Sequence, residues 1–525
     1  MRYSFVIARH TLFFPSLRGT ACRSKLEHEI PRFTRNKLRN LSEIAHFVRN
    51  DYEPAQHIDF GSNLWFDDKR LLPKVGGTMA VKDRAEAKEH VLKMVKEHNV
   101  GLIKLWFTDI LGFLKSFTIA SGELETSLES GNGFDGSSIQ GFARIDESDM
   151  VALPDPTTFQ ILPWHSKEHQ NAARMFCDIY WPGRQPFEGD PRYVLKRNLK
   201  RTADMGYTFY VGPELEYFYF QNSESTQFLD QGGYFDLTPP DIATDLRRET
   251  ILILEEMGIR VEYSHHEVAP SQHEIDLHYT DALTMADNVM TYRLVVKQVA
   301  QEHGVYATFM PKPVLGVNGS GMHVHMSLFK GARNAFFDRD EPHHLSKLAK
   351  HFAAGLLKHA PAITSVTNQW VNSYKRLLPG YEAPVYITWA RRNRADLIRI
   401  PEYQPGKEEA TRLELRSPDP ACNPYLAFSV ILAAGLEGIE KEYEPPPPVE
   451  RNVFEMSEQE RKESGIGTLP GNLYEAIKLS ENSKLVRKAL GEHVFNTFIQ
   501  NKKVDWERYC SQVTDYELKQ YLPIL

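Results

Sequence analysis

Hydrophobic and polar residues alternate along several short stretches in the second half of the chain, and stretches with helical spacing separate them. Alternation with a period of two is typical of strands that bury one face, whereas apolar residues three and four positions apart indicate helices. The strand-like stretches are YTFYVGPELEYFYF, IRVEYSHHEVAP, QHEIDLHY, GMHVHMSLF and TRLELRSPDP. Strands interrupted this often by helices predict an antiparallel or mixed sheet, and their polar residues predict that one face of it is functional.

The segments on either side of this region predict a smaller unit and a helical tail. A helical pattern covers about residues 83–98, and GLIKLWFTDILGFLKSFTI has the pattern of two strands around a turn at Gly112. Together they predict a small α+β unit that ends near residue 180. The four consecutive prolines of YEPPPPVERN predict an extended connector, and an amphipathic helical pattern follows over about residues 471–522.

Residues 1–78 differ from the rest of the chain in charge and pattern. They carry 13 Lys and Arg against 8 Asp and Glu, whereas the remaining residues carry 49 basic and 61 acidic side chains. FVIARHTLFFPSL is interrupted by Arg9 and Pro15 and so lacks the apolar core of a signal peptide, although the basic bias leaves a transit peptide open. The preferred hypothesis is that translation starts at Met79. Residues 1–78 would then be a disordered leader or a mis-assigned start, and an intact mass with Met1 retained would contradict this.

Composition excludes several classes of function. The formal charge of -7 and the lack of a sustained basic block in the body argue against a nucleic-acid-binding protein. Four cysteines without a CxxC pair exclude a disulfide framework and a cysteine zinc site, and they suit a reducing cytoplasm. No apolar run reaches the length of a membrane span, so we expect no contact with the bilayer.

Carboxylates on the strand-like stretches predict a metal site. Glu214 and Glu216 are two positions apart, so they share one face of a strand, where they repel each other unless a cation lies between them. The other candidates lie on neighbouring strand-like segments and are Glu267, Glu274, Glu414 and His323. A set of five glutamates and one imidazole is dominated by oxygen, which suits Mg²⁺ or Mn²⁺.

Arginine is concentrated in one part of the chain. Seven arginines lie within about forty residues, namely Arg376, Arg391, Arg392, Arg394, Arg399, Arg412 and Arg416. The guanidinium fork matches phosphate and carboxylate groups bidentately. Arginines facing a two-metal carboxylate site predict a phosphoryl-transfer centre. The sequence contains no GxxxxGK[ST] loop, so a nucleotide would have to be held in another way.

The stretch NGSGMHVHMSL raises the question of whether His323 and His325 share one task. On a strand, both rings would point to the same face, about 7 Å apart at the backbone. That spacing is too large for both rings to be assumed ligands of one ion.

Seven motifs resemble, in order, those of type I glutamine synthetase. They are GFDGSSIQGFARIDESDM, GPELEYFYF, HHEVAPSQHEID, NGSGMHVHMS, NSYKRLLPGYEAP, RNRADLIRIP and LELRSPDPACNPYLAF. The resemblance covers about residues 84–525. It implies a ligase that uses ATP to convert L-glutamate to γ-glutamyl phosphate, from which ammonia displaces phosphate to give L-glutamine.

The resemblance also implies a role for individual residues. One metal ion would be held by Glu216, Glu267 and Glu274, and the other by Glu214, His323 and Glu414. Charge on the transferring phosphoryl group would be stabilised by Arg394, Arg399 and Arg416. The amino-acid substrate would be held by Asn318, Gly319 and Arg376. Glu382 would close the site, and Asp135 would deprotonate ammonium in a pocket that includes Ser138 and Asp149. ATP would contact Glu262, Tyr279, His325, Ser327 and Arg412.

The implied fold is α+β, with a small β-grasp-like domain over residues 79–182 and a catalytic domain over residues 183–525. The catalytic domain would contain a curved antiparallel sheet flanked by helices. The resemblance further implies a homo-oligomer, a dodecamer of two hexameric rings whose active sites lie between subunits.

One position departs from the adenylylated members of that family. Phe454 stands in RNVFEMSEQER where those members carry a tyrosine, so control by adenylylation is predicted to be absent. Arg144 matches the subgroup controlled by feedback and by regulatory proteins.

Two alternatives stay open. The first is a relative that joins glutamate to another amine, which would be expected to alter the residues at Asp135, Ser138, Asp149 and Glu382. The second is a non-catalytic assembly protein of the same fold, which would have no reason to retain all six metal positions. An assay with ATP, divalent metal, glutamate and either ammonium or an amine separates them.

Overall fold

The structure is a computed structural model that describes residues 81–137, 139, 149–164, 170–380, 383–391 and 396–525. All of these residues belong to one compact unit, Pro73–Leu525. The predicted leader, residues 1–78, lies outside the described residues, so its nature stays a prediction. None of the described helices combines the length and the apolar character needed to cross a membrane.

A six-stranded sheet and two helices form the first part of the described chain. The helices are α1 (Val81–Glu97) and α2 (Leu124–Ser130). The strands are β1 (Val100–Thr108), β2 (Leu114–Ala120), β3 (Asn132–Asp135), β4 (Asp149–Pro154), β5 (Gln160–Ile161) and β6 (Asn171–Tyr180). Their order is β2-β1-β6-β4-β3, with β5 also on β6, and only the β1–β6 pair is parallel. The predicted α+β unit with a turn at Gly112 is therefore confirmed.

A ten-stranded sheet is the centre of the remaining chain. Its strands are β7 (Thr208–Phe220), β8 (Val261–His266), β9 (Gln272–Leu277), β10 (Thr280–Asp281), β11 (Tyr306–Thr308), β12 (Met322–Lys330), β13 (Arg333–Asn334), β14 (Tyr386–Ala390), β15 (Asp396–Arg399) and β16 (Leu413–Leu415). The path β14-β15-β16-β12-β7-β9-β8 is antiparallel except at β14–β15, so the expected antiparallel sheet contains one parallel pair. Each of the five strand-like stretches named in the second half of the chain forms a strand of this sheet, namely β7, β8, β9, β12 and β16.

Helices surround the second sheet and continue to the end of the chain. They are α3 (Pro191–Asp204), α4 (Thr244–Glu256), α5 (Ala282–Glu302), α6 (Lys347–Thr367), α7 (Ser373–Arg376), α8 (Pro424–Glu440), α9 (Glu458–Glu463), α10 (Leu473–Glu481), α11 (Lys484–Leu490), α12 (Glu492–Cys510) and α13 (Asp515–Tyr521). Several of these helices begin at a residue whose side chain caps the first turn, and such caps can be predicted from the sequence. Asp190 caps α3 and Asn423 caps α8, and a proline follows each cap.

The alternation along β7 decides which face of the sheet is buried in the core. Leu215, Tyr217 and Tyr219 are fully buried in the main hydrophobic cluster. Helices α3 and α5 pack against β7, and α8 packs against α3, α5 and α6. Because successive side chains alternate between faces, Glu214 and Glu216 lie on the face opposite this core. That face carries the candidate site.

Candidate active site

Strand pairing brings the predicted carboxylates together. In the backbone register, His323 on β12 lies opposite Glu214 on β7. Glu216 lies opposite Glu274 on β9, and Glu414 on β16 lies opposite Arg399 on β15. Residues far apart in the chain thus meet on five adjacent strands, because antiparallel registry places cross-strand partners about 5 Å apart.

Glu214, His323 and Glu414 form one group that could hold a metal ion, and this group is the second of the two predicted metal sets. Their potential ligand atoms lie within 4.8 Å of one another. Nδ1 of His323 is 3.2 Å from Oε2 of Glu214 and 3.8 Å from Oε1 of Glu414. Burial and the nearby Arg416 lower the pKa of His323. The neutral ring, which offers a lone pair to a metal ion, is therefore favoured.

The first predicted metal set consists of Glu216, Glu267 and Glu274. Glu267 and Glu274 form a group of possible ligands with His265, and Glu216 lies beside Glu274 across the β7–β9 pair. Burial, together with the charge of Glu267, raises the pKa of Glu216 well above its usual value. Burial and the neighbouring carboxylates Asp276 and Glu214 do the same to the pKa of Glu274. A divalent cation would relieve this repulsion, so the donor set fits the predicted ion.

His265 is a candidate site residue that is not among those predicted from the sequence. Its Nε2 is 3.0 Å from Oε1 of Glu267. Its Nδ1 is buried and has no hydrogen-bond partner among the described residues. The feature of the sequence that could have indicated it is the pair of histidines directly before Glu267. Alternation alone, however, does not show which of the two rings faces the carboxylates.

A third cluster, Asp230, His266 and His273, has ligand-like spacing but does not fit a metal ion. Arg247 donates to Nδ1 of His273 at 2.8 Å, so the proton of that neutral ring is on Nε2, which faces Asp230. His266 lies between two acceptors, the Glu267 carbonyl at 2.7 Å and the Asp230 carboxylate at 3.0 Å. Burial opposes the charged ring, but these acceptors raise the pKa of His266. Each ring nitrogen in the cluster therefore already faces a hydrogen-bond donor or acceptor of the chain.

His325 has a different environment from His323. The Nε of Arg412 donates to Nδ1 of His325 at 3.0 Å, and Nε2 of His325 donates to Oε1 of Glu214 at 2.6 Å. Because an arginine can only donate, it fixes the tautomer and leaves His325 no lone pair for a metal ion. The two rings of NGSGMHVHMSL therefore have different tasks.

Two of the predicted arginines hold Glu414. The Nε of Arg399 donates to one carboxylate oxygen of Glu414, and Nη1 of Arg416 donates to the other at 3.0 Å. Burial disfavours ionisation of Glu414, but His325 and Arg416 outweigh it and lower its pKa. An ionised carboxylate has about four lone-pair positions, so these bonds leave room for a metal ion.

The five predicted ATP contacts line one cavity. Glu262, Tyr279, His325, Ser327 and Arg412 all contribute to its wall, and it adjoins the metal-ligand candidate Glu214. Five further polar side chains that were not predicted from the sequence also line the cavity, namely Tyr210, Tyr263, Asp276, His278 and Glu409. Tyr279 is half-exposed and offers a ring face for stacking.

The predicted amino-acid site lies next to the carboxylates. A Cβ atom on Gly319 would lie 2.4 Å from the carbonyl oxygen of Pro311 and 3.1 Å from Cγ of Arg376, so the loop is closely packed there. The Nη atoms of Arg376 donate to the carbonyl oxygens of residues 416–418. Arg376 therefore holds the segment 416–418 by hydrogen bonds and packs against Gly319, and a substrate would use its remaining N–H groups. Asn318 precedes Gly319 and is partly buried.

The predicted ammonium residues fall into two groups. Asp135 and Asp149 lie opposite each other on β3 and β4 of the first sheet, and both are exposed. Hydrogen bonds from Ser137 lower the pKa of Asp135. Among the described residues, no bond or ion pair links either aspartate to the carboxylates of the second sheet. Ser138, Glu382, Arg394 and the predicted regulatory Arg144 lie outside the described residues.

Comparison with known proteins gives consistent results. The family profile "Glutamine synthetase, beta-Grasp domain" matches residues 99–182, and "Glutamine synthetase, catalytic domain" matches residues 188–521. A glutamine synthetase of Mycolicibacterium smegmatis is 53% identical over 442 residues, which cover 83% of this chain and 99% of that protein. One from Thermotoga maritima is 51% identical over 438 residues, with coverage of 83% and 99%.

Solved structures also resemble the chain over most of its length. Structures described as "GmaS/ADP complex-Conformation 1" and "Apo GmaS without ligand" give TM-scores of 0.76 and 0.75. Both are 32% identical in sequence, and both alignments cover 82% of this chain and 99% of the other. The expected α+β fold with an N-terminal β-grasp domain is thereby confirmed.

Proposed function

The chain belongs to the glutamine synthetase family, and we propose that it joins ammonia to the side chain of L-glutamate at the expense of ATP. The γ-carboxylate of glutamate attacks the terminal phosphorus of ATP, which gives γ-glutamyl phosphate and ADP. Ammonia then attacks the acyl carbon, phosphate leaves, and glutamine is formed. The observation that carries the proposal is the sheet face that holds two groups of possible metal ligands, where Glu214 of one group also lines the cavity formed by the five predicted ATP contacts.

Each group of carboxylates would hold one divalent cation, Mg²⁺ or Mn²⁺. When bound, these ions would neutralise phosphate oxygens and orient the attacking carboxylate. The first ion would use Glu216, Glu267 and Glu274, with His265 as a further candidate. The second would use Glu214, His323 and Glu414. The buried, mutually repelling glutamates support this assignment, because their charges need a counter-ion.

Side chains of the protein would stabilise charge, bind the amino acid, accept the ammonium proton and close the site. Arg399 and Arg416 already lie at the carboxylate of Glu414, where they would stabilise negative charge on the transferred phosphoryl group, together with Arg394. Asn318, Gly319 and Arg376 would hold the amino-acid part of glutamate. Asp135, with Ser138 and Asp149, would receive the ammonium proton. Glu382 would close the site, because the acyl phosphate must meet ammonia before water.

We also propose the division into domains at residues 79–182 and 183–525, which the two family matches support. The dodecameric assembly, the cytoplasmic location and control by feedback or regulatory proteins through Arg144 are part of the same proposal. Adenylylation would be absent because the ring of Phe454 packs on Tyr386 and carries no hydroxyl.

The test is an assay of the purified protein with ATP, Mg²⁺ or Mn²⁺, glutamate and ammonium, with glutamine and phosphate measured together. We expect equal amounts of both products. Turnover only when an alkylamine replaces ammonium would select the amine ligase instead. No turnover with either nitrogen donor would select a non-catalytic protein.

A further inference from the structure

Gln272, the first residue of β9, is fully buried between two parts of the candidate site. Its Nε2 donates to Oε2 of Glu216 at 2.7 Å and to the carbonyl oxygen of Gly319 at 3.2 Å. Its Oε1 accepts from the backbone N–H of Ala269 at 3.2 Å. One amide group therefore contacts a proposed metal ligand, the proposed glutamate loop and the turn between β8 and β9.

The hydrogen bonds leave only one orientation for this amide. If the oxygen and nitrogen were exchanged, the oxygen would face the Glu216 carboxylate and the Gly319 carbonyl, which are both acceptors. The NH₂ group would then face the N–H of Ala269, which is a donor. Since a buried polar group without a partner costs about 1–3 kcal/mol, the arrangement with Nε2 towards Glu216 and Gly319 is strongly favoured.

The backbone of Gln272 fixes the same region. Its carbonyl oxygen accepts from the N–H of Glu267 at 2.7 Å, and its N–H donates to the carbonyl of Ala269 at 3.0 Å. Glu267 directly follows β8 in the turn, and Glu274 is the third residue of β9. Gln272 therefore contacts the backbone or the side chain next to all three carboxylates of the first predicted metal set. A group held this firmly, with both NH₂ hydrogens used, is well placed to fix neighbouring side chains.

We propose that Gln272 is a positioning residue that couples the first metal set to the glutamate loop. Its NH₂ group holds the carboxylate of Glu216 in the orientation in which it binds the cation. The same NH₂ group holds the Gly319 carbonyl, and with it the loop that would receive the amino acid. This inference rests on the proposed function. It implies that divalent-cation affinity and the KM for glutamate depend on one amide, whereas the KM for ATP does not.

The test compares Gln272→Met, which keeps the length of the side chain but cannot donate, with Gln272→Asn, which is too short to reach both acceptors. The matched control is Gln369→Met. Gln369 is also fully buried and donates to the carbonyl of Leu111 at 2.7 Å, but it has no hydrogen bond to any described residue of the candidate site. Mn²⁺ binding to the metal-free protein is measured by titration without substrates, and KM values for glutamate and ATP follow from steady-state assays.

We expect Gln272→Met to weaken Mn²⁺ binding at one site per subunit about 10–100-fold, which is the usual effect of losing a partner behind a metal ligand. The KM for glutamate should rise in parallel, while the KM for ATP stays within about twofold. Gln272→Asn should change both quantities in the same direction. Gln369→Met should leave Mn²⁺ affinity unchanged even where it lowers the denaturation midpoint.

Mn²⁺ affinity within about twofold of the wild type in either folded Gln272 variant would overturn the proposal, given the 10-fold minimum expected. An equal loss in Gln369→Met would also overturn it, because the effect would then follow from any buried glutamine. The Mn²⁺ titration needs no turnover. Failure of the wild-type protein to make glutamine would therefore overturn the proposed function without deciding the role of Gln272 as a support for the metal ligand.

Discussion

At the scale of single residues, the neighbours of a side chain decide its task more than its type does. His323 and His325 are two positions apart on one strand and face the same way. Arg412 donates to Nδ1 of His325 and so occupies the lone pair that a metal ion would need. His323 lies among glutamates, and its own pKa is lowered. The sequence could show that the two rings share a face, but only the positions of Arg412 and Glu214 separate their roles.

This difference can be measured by counting Mn²⁺ sites. We expect His323→Ala to lose one site per subunit, because a direct ligand is removed. His325→Ala should keep the number of sites and raise the KM for ATP, with Mn²⁺ affinity lowered about tenfold through the lost bond to Glu214. Titration of the metal-free variants with Mn²⁺ gives both stoichiometry and affinity. Loss of a site in both variants would show that the rings act alike.

A second prediction at this scale concerns Asp190, which lies away from the carboxylates of the second sheet. Burial and the charge of Asp178 raise the pKa of Asp190 to about 7. In the unfolded chain the pKa of this aspartate is about 4. Between about pH 4 and pH 7, therefore, Asp190 is protonated in the folded state and ionised in the unfolded state. The contribution of Asp190 to stability is therefore complete below pH 4 and is lost as the pH rises through 7.

Asp190→Asn removes this titration. The carboxylate of Asp190 accepts hydrogen bonds from the backbone N–H groups of Ile179 and Arg192. An asparagine side chain has only one oxygen, so the variant also loses one of these two bonds. We expect it to be less stable than the wild type at pH 5 and to recover relative to it at pH 8, by on the order of 3 kcal/mol. Urea denaturation midpoints at the two pH values measure the change. A difference between variant and wild type that does not vary with pH would contradict the assignment.

At the scale of elements, the turn between β1 and β2 joins the two sheets through helix α8. The side chain of Asn423, which caps α8, donates to the carbonyls of Asp109 and Ile110 at 3.1 and 3.3 Å. Gln369 donates to the carbonyl of Leu111 at 2.7 Å. Gly112 ends this turn with φ +86°, and a Cβ atom there would lie 3.0 Å from Cα of Asn423. The turn therefore requires glycine for both its conformation and its packing.

Gly112→Ala should consequently lower stability by about 1–3 kcal/mol, since a left-handed conformation costs a residue with a Cβ about 1–2 kcal/mol before any contact is counted. The matched control is Gly122→Ala, because Gly122 has an ordinary φ and no atom within 4 Å of an added Cβ. Thermal denaturation of both variants measures the difference. Similar midpoints would show that the turn tolerates a side chain.

The elements themselves could be predicted from the sequence far better than the contacts between them. Alternation located five of the ten strands of the second sheet, namely β7, β8, β9, β12 and β16, because the period of two is a local property of the chain. It could not give the register that places Glu414 opposite Arg399 and Glu216 opposite Glu274, since that depends on strands distant in sequence. Gln272 was missed for the same reason. Its two acceptors, Glu216 and Gly319, are 56 and 47 residues away.

At the scale of the whole molecule, the first sheet and the carboxylate face contribute differently to the proposed reaction. Asp135 is exposed on β3, and no contact between it and the described metal ligands is present within the chain. A residue that must receive a proton from ammonium has to lie beside the acyl carbon during the reaction. These two facts support the proposal that Asp135 acts in the site of a neighbouring copy, in a closed ring of subunits.

Subunit exchange tests this sharing directly. Asp135→Asn and Glu216→Gln should each lose most of the glutamine synthesis when assembled alone. If each site combines Asp135 of one copy with Glu216 of the next, a co-refolded equal mixture restores both residues at about a quarter of the sites by random assembly. The same variants assembled separately and then mixed should remain inactive, which is the control. A co-refolded mixture no more active than the separate variants would place both residues in the site of a single chain.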